Sequence, residues 1–178
     1  MLLTNAIRSA ERIKHHVHEI LDFSKMEAQQ LQLDIRQHNI LEELCPTIRS
    51  FEASAKLKGV EFVVDWVPTA IIYAKFDALR LNQVLTNVLA NAVKFTTAGT
   101  VSIHVELTEE QIVFAVKDTG CGMNEAHLDS LFKPFMQADK TITRQYGGTG
   151  LGMSIVSNLV NLMDGHITVS STLNEGLK

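Results

Sequence analysis

Asn87, Asn91 and Lys94 stand four and three residues apart. On a helix that spacing sets all three on one face. Two neutral amide oxygens beside an ammonium suit a hydrated Mg2+ next to phosphates, because this ion takes oxygen ligands and keeps part of its water shell. The same asparagines could instead only satisfy buried backbone groups. A second group is Asp118-Thr119-Gly120-Cys121-Gly122-Met123, directly after an apolar, strand-like segment. A carboxylate at a strand end can accept a hydrogen bond from an exocyclic amine such as that of adenine. Gly120 and Gly122 would let backbone approach a flat ring. The competing reading is an ordinary Asp-Gly turn. A third group, Gly147-Gly148-Thr149-Gly150-Leu151-Gly152, opens a helical segment. Free N–H groups and the positive helix end attract phosphate oxygens there. The run lacks the Gly-Lys-Ser/Thr ending of a P-loop, and no βαβ unit surrounds it as a dinucleotide fold requires. The fourth group is Phe132-Lys133-Pro134-Phe135, followed by an irregular polar stretch to Arg144. Such a stretch between two site elements suits a lid, and Arg144 could reach a terminal phosphate. A solvated loop with a free arginine is the plainer alternative.

These residues need elements to carry them. Residues 1–27 read as one helix: Leu3, Ala6, Ala10, Ile13, Val17 and Ile20 alternate steps of three and four, a heptad seam that Ile7 and Leu21 widen. Nothing else in that segment covers the stripe, so a partner helix or another neighbour is expected. The alternation of Leu31, Leu33 and Ile35 suggests a half-buried strand over Gln30–Ile35. Asn39 can cap a helix ending near Lys58, with Gly59 closing it and Pro46 kinking it or delaying its start. Val60–Val67 reads as a strand broken by Pro68. Asp77 can cap a helix to about Phe95, with Leu81, Val84, Leu85, Val88, Leu89 and Ala92 on its buried side. Thr100–Leu107 and Gln111–Lys117 read as an antiparallel pair. A short helix near Glu125–Leu131, a helix from Leu151 to Met163 closed by Asp164-Gly165, and a last strand over His166–Ser171 complete the pass. This order predicts an α/β fold: a two-layer sandwich with a mixed sheet covered by helices on one face, preceded by a long N-terminal helix.

Composition narrows the function. The 178 residues suffice for one α/β domain and a short appendage. A net charge of −4 offers no basic field for nucleic acid. Cys45 and Cys121 are the only cysteines and lie far apart, which fits a reducing compartment better than a disulfide scaffold. No segment supplies a membrane span or a signal pattern. The expected location is cytoplasmic, with no membrane contact by this stretch, although a piece of a membrane receptor would read the same way.

Taken together, the four groups resemble sensor histidine kinases. The run from Asp77 to Thr96 looks like their N box, Asp118-Thr119-Gly120-Cys121-Gly122 their first glycine box, Phe132-Lys133-Pro134-Phe135 their F box, and Gly148-Thr149-Gly150-Leu151-Gly152 their second glycine box. Gln137-Ala138-Asp139 and Thr143-Arg144-Gln145-Tyr146-Gly147 are similar to the hybrid subclass. Met153 stands where leucine is more usual, a volume-conserving exchange. The resemblance implies a Bergerat-type sandwich of the GHKL superfamily, shared with chaperone, topoisomerase and mismatch-repair ATPases. It implies ATP and Mg2+ as cofactors, with Asn91 on the metal and Asn87 and Lys94 at the phosphates. Asp118 would read the adenine amine. Gly120, Gly122, Met123 and Phe135 would line the site, and Gly148, Thr149, Gly150, Leu151 and Gly152 would hold the phosphates. Arg144 would sense the γ-phosphate, which makes Asn91, Lys94 and Arg144 the catalytic set.

The resemblance also implies partners: the kinase's own dimerisation hairpin, in a homodimer, and a response-regulator receiver domain. Glu19-Ile20-Leu21-Asp22-Phe23-Ser24-Lys25-Met26-Glu27-Ala28 looks like the end of the second hairpin helix, so residues 1–27 would be that helix and 28–178 the catalytic domain. In that register His18 is not the phosphoacceptor, and no acceptor box is present. His15 and His18 share a helical face, but an exposed polar face explains them more simply than a metal site. Asn174-Glu175-Gly176-Leu177-Lys178 starts a third glycine turn, so the final strand is expected to be cut short and one sheet edge open. Three rivals remain. An ATPase switch of the superfamily carries a glutamate base one turn before the metal asparagine, where Asn87 stands here, and an amide cannot take that proton. A serine-directed kinase would give an acid-stable product. A degenerate binding module would have damaged boxes, and these look intact.

Overall fold

The computed structural model describes residues 2–66, 72–108, 111–136, 149–173 and 176–177, and of residues 2–5, 8, 11, 12 and 15 the backbone only. Helix α1 (Leu2–Glu27) leads into β1 (Arg36–Asn39) and α2 (Ile40–Lys58). Strands β2 (Glu61–Trp66) and β3 (Tyr73–Phe76) precede α3 (Ala78–Phe95). The hairpin β4 (Thr100–Leu107) and β5 (Ile112–Asp118) follows, then α4 (Glu125–Leu128), α5 (Gly152–Leu162), β6 (Ser171–Thr172) and β7 (Gly176–Leu177). The main sheet runs β2-β4-β5-β7-β6. It is mixed: β2 pairs parallel with β4, and the other neighbours pair antiparallel. A separate two-stranded ribbon pairs β1 with β3, Arg36 opposite Phe76.

Helix α3 is the hinge of the packing. Its Leu81, Leu85 and Leu89 meet Ile40, Leu44 and Ile48 of α2 and Ile103 and Val105 of β4. Val84 turns the other way, into a second cluster with Leu151 and with Ile155, Val156 and Leu159 of α5. Along β4, Val101, Ile103 and Val105 are buried while His104 and Glu106 are exposed, the period-two pattern of a sheet covered on one face. The expected α/β sandwich is therefore present.

Both predicted N-caps form. The Asn39 side chain accepts from the Leu41 N–H and the Asp77 side chain from the Arg80 N–H. Gly59 closes α2 in the left-handed region at φ 77°, where a Cβ is disfavoured. Pro46 does not delay α2, which starts at Ile40 and runs on past it. In the turn that Pro46 disturbs, the Glu43 carbonyl accepts a hydrogen bond from Asn82 Nδ2 at 3.1 Å.

Two predicted strands are corrected. Gln30–Ile35 forms no ladder; the strand there is Arg36–Asn39. Leu31 and Leu33 still turn inward, against the α5 cluster, and the Asp34 N–H bonds Asp77 Oδ2 instead of a strand. His166–Ser171 likewise gives way to the two-residue β6, although Ile167 packs on the same cluster. Strand β3 carries no alternation that announced it. β7 inserts between β5 and β6, so the described edges of the sheet are β2 and β6. The Pro68 break and the Asn174-Glu175 turn lie outside the described residues.

Much of the heptad seam of α1 stays uncovered: Ile7, Ile13, Val17, Ile20 and Leu21 are all exposed. A different stripe of the helix docks on the body, with Phe23 and Met26 packed against the α5 cluster. His18 Nδ1 bonds the Lys14 carbonyl within the helix. No helix among the described residues is long and apolar enough to cross a membrane.

Candidate functional site

Asn87, Asn91 and Lys94 are half-buried on the flank of α3, beside the rows that face the core. The helix is held at both ends. Asp77, only 5 % exposed, accepts from the Arg80 N–H at 3.0 Å through one oxygen and from the Asp34 N–H at 2.9 Å through the other. At the far end Lys58 Nζ donates to the carbonyls of Val93 at 2.6 Å and Lys94 at 2.8 Å, a cation where the helix dipole favours one. The Lys94 ammonium lies 4.8 Å from the centre of the Phe95 ring. Burial lowers its pKa below the ordinary lysine value.

Asp118 is the last residue of β5, paired with Val101 on one side and Leu177 on the other. Burial raises its carboxyl pKa; the backbone N–H groups of Gly120 and Leu177 oppose that rise by bonding the charged form. The Gly120 N–H donates to Asp118 Oδ1 at 2.9 Å. A Cβ on Gly120 would lie 2.6 Å from the Phe95 carbonyl oxygen, so this loop presses against the end of α3. Gly122, at φ +61°, has no room either: a Cβ would collide with the Thr172 carbonyl. The Met123 N–H donates to Ser171 Oγ at 2.8 Å, which ties the loop to β6.

The start of α5 forms the opposite lip. Gly150, at φ +73°, lies under Phe135, whose N–H donates to the Gly150 carbonyl at 3.0 Å. The Thr149 hydroxyl accepts from the Leu151 N–H at 3.2 Å. Leu151 itself is fully buried, as an anchor rather than a liner. A Cβ on Gly152 would lie 3.4 Å from Asn87 Oδ1, which brings the first turn of α5 against the amide face of α3.

The two glycine segments thus abut the same helix at Asn87 and at Phe95. Eight residues of rise separate these points, about 12 Å, and Asn91 and Lys94 fall between them. Along this flank of α3 Gly152 lies against Asn87, and Gly120, bonded to Asp118, lies against Phe95, which makes one wall. Phe135 adjoins it through Gly150, and Met123 through β6. Arg144 and Gly148 lie outside the described residues. A cavity of about 490 Å³ lies elsewhere, at the end of the β4–β5 hairpin away from Asp118, where Trp66, Ile72, Leu107 and Ile112 line it. Among the described residues no group of three or more His, Cys, Asp or Glu could hold a metal.

Two neighbours of this wall escaped the sequence reading. Glu19 of α1 is 8 % exposed, and its Oε2 accepts from the Thr149 hydroxyl at 3.0 Å. Asp22 pairs with Arg80 at 2.8 Å. An acid on an amphipathic helix reads as solvated, and only the docking of α1 reverses that.

A mixed sheet backed by helices, with a strand-end carboxylate and a glycine-opened helix meeting on one amide-lined wall, defines an ATPase-type α/β sandwich. The chain belongs to the histidine kinase-, DNA gyrase B- and HSP90-like ATPase family, which matches residues 76–178. It is 37 % identical over 174 residues to the autoinducer 2 sensor kinase/phosphatase LuxQ of Vibrio cholerae, covering 96 % of this chain and 20 % of LuxQ. It is 39 % identical over 174 residues to the sensor protein GacS of Pseudomonas syringae pv. syringae, covering 95 % of this chain and 19 % of GacS. The chain therefore spans about a fifth of the length of these relatives. Among solved structures, full-length ShkA in complex with AMPPNP superposes with a TM-score of 0.79 at 30 % identity, over 96 % of this chain and 35 % of that one.

Proposed function

We propose that this chain is the ATP-binding catalytic core of a hybrid-type sensor histidine kinase in a two-component phosphorelay. Residues 1–27 would be the second helix of the dimerisation hairpin and residues 28–178 the catalytic domain. The observation that carries this reading is the meeting of two glycine segments with the two ends of one amide-and-ammonium helix face. Asp118 accepts from the adenine amine, with Gly120, Gly122 and Met123 beside the ring. Gly148, Gly150 and Gly152 give backbone N–H groups and close approach to the phosphates, with Thr149 and Leu151 in the same turn. Asn87 and Lys94 flank the phosphates, Arg144 meets the γ-phosphate, and Phe135 closes the lip.

The donor set fits Mg2+. The described residues bring neutral amide oxygens and no group of three or more His, Cys, Asp or Glu, a donor set that would suit a hydrated Mg2+ beside phosphates. Asn91 would be the protein ligand, and the ion, when bound, neutralises phosphate charge. Catalysis by this chain is positioning and charge neutralisation. The reaction breaks the bond between the γ-phosphorus and its bridging oxygen and forms a bond to a histidine nitrogen on a hairpin supplied by another segment, releasing ADP. A receiver domain would then take the phosphoryl group. Asn87 stands where hydrolytic relatives have a base, so rapid ATP hydrolysis is not expected. The setting consistent with ATP and two free thiols is cytoplasmic.

The test is direct. Calorimetric titration should show ATP binding that weakens by about tenfold or more when EDTA removes Mg2+. Radiolabelled ATP should leave no acid-labile label on the chain alone. Strong self-labelling would show that an acceptor had been missed, and absent binding would overturn the assignment.

A further inference from the structure

The chain enters α5 through Gly147-Gly148-Thr149-Gly150-Leu151-Gly152, four glycines in six residues. Glycine gives up more conformational freedom on ordering than any other residue, so a turn of this composition needs neighbours to hold it. Thr149, Gly150 and Leu151 are each held from outside the turn, and each hold leads to α1. The Thr149 hydroxyl, which accepts from the Leu151 N–H, donates to Glu19 Oε2 at 3.0 Å. The Gly150 carbonyl accepts from the Phe135 N–H at 3.0 Å. The Phe135 ring in turn stands edge-on to Phe23, ring centres 5.8 Å apart. Leu151 is fully buried in a cluster on which Phe23 and Met26 pack. Glu19, Asp22, Phe23 and Met26 recur at the spacing i, i+3, i+4, i+7, so one face of α1 makes all these contacts. Asp22 anchors that face to the first turns of α3. Its Oδ2 accepts from Arg80 Nη1 at 2.8 Å and Gln83 Nε2 at 3.0 Å, and the ion pair is mostly shielded, with side chains 18 % and 16 % exposed.

On the functional reading above, this turn receives the phosphates. We propose that α1 positions it: Phe23, through Phe135 and Leu151, and Glu19, through Thr149, hold residues 149–152 in place before the nucleotide arrives, so that docking of α1 and binding of the phosphates reinforce one another. This inference rests on the proposed nucleotide site and adds residues outside its motifs. A ligand that meets a turn already held does not have to order it, and the cost avoided appears as affinity. The adenine end of the site is supported differently. There Gly120 presses on Phe95, and Asp118 pairs with Leu177 of β7. The effect of α1 therefore belongs to the phosphates and not to the base. The coupling is reciprocal: the factor by which docked α1 tightens Mg·ATP is the factor by which Mg·ATP tightens docking.

Two substitutions in the whole 178-residue chain loosen the docking by different chemistry. Phe23→Ala removes the ring contact and keeps the ion pair. Asp22→Asn removes the charge on Arg80 and keeps the ring contact. Each should weaken Mg·ATP binding by about fivefold or more, within the usual range of coupling between sites. Adenosine, which carries no phosphate, should bind all three proteins equally. In nucleotide-free Phe23→Ala, amide hydrogen exchange over 149–155 should be faster than in the unsubstituted chain. In the unsubstituted chain, exchange over 19–27 should slow when Mg·ATP is added and stay unchanged with adenosine. If the unsubstituted chain binds Mg·ATP but either substitution leaves that affinity unchanged or raises it, α1 does not position the turn. Exchange over 19–27 that ignores Mg·ATP, or speeds up with it, would overturn the coupling as well. An equal fall in adenosine affinity would do the same, because the damage would then lie in the body as a whole. If none of the proteins binds Mg·ATP, the nucleotide site itself is wrong and this inference falls with it.

Discussion

Asp118 shows what burial does to a carboxylate at a strand end. Burial holds its folded-state pKa above the ordinary carboxylate value, despite two backbone donors. The folded chain then keeps a proton at a pH where the unfolded chain has lost it. Stability contributed by that proton is full at acid pH and is lost as pH rises from about 3.9 through the raised folded value. Burial makes the charged form of this carboxyl the costly one in the folded chain. Asp118→Asn should therefore leave the melting temperature of the nucleotide-free protein at pH 7 unchanged or higher. The same change should weaken ATP binding by more than about tenfold, since it turns an acceptor into a partial donor facing an amine. Titration calorimetry paired with thermal melts separates the two effects; unchanged affinity would remove Asp118 from the adenine contact. The types and spacing of Asn87, Asn91, Lys94 and Asp118 were legible because each sits on a regular element whose period fixes its direction. Glu19 was not, because nothing local distinguishes a buried acid from a solvated one.

Helix α3 depends on the residue that caps its start. Both carboxylate oxygens of Asp77 are engaged, one on the helix start and one on the Asp34 N–H from the segment before β1. Asp77→Ala removes the cap and leaves a second donor without its acceptor, so it should cost about 1–3 kcal/mol. A urea midpoint shifted downward at constant slope would measure it. Caps and glycine stops were readable because they satisfy backbone groups within a few residues. The two misplaced strands failed for the opposite reason. Leu31, Leu33 and Ile35 alternate as a strand does, yet a ladder needs a partner, and the inward pair found a helix cluster instead. Period two reports which side chains turn inward, not what they meet.

Three apolar clusters of the described residues hold the molecule together, and α3 contributes to each. Leu89 is fully buried where α2, α3 and β4 meet. Leu89→Ala should cost about 2–5 kcal/mol, the range for a buried leucine truncated to leave a cavity. The loss should appear in chemical denaturation as a lowered midpoint, and in nucleotide affinity only once the fold begins to fail. The division of α1 into a docked face and an exposed seam belongs to this level too. Heptad spacing marked the seam, and Ile13, Val17 and Ile20 do lie exposed along it. The docked face depends on Arg80, Thr149 and Phe135, residues from three distant parts of the chain.

Local chemistry and short periods were enough to settle the order of the main helices, the β4–β5 hairpin, the caps at Asn39 and Asp77, and the residue types of the site. Each of these rests on interactions spanning a few residues, and such interactions leave their mark on neighbouring letters. The placing of Gly152 against Asn87, of Gly120 against Phe95 and of Glu19 against Thr149 required the folded chain. These contacts join residues 65, 25 and 130 positions apart, and packing alone, not propensity, decides which distant surfaces meet.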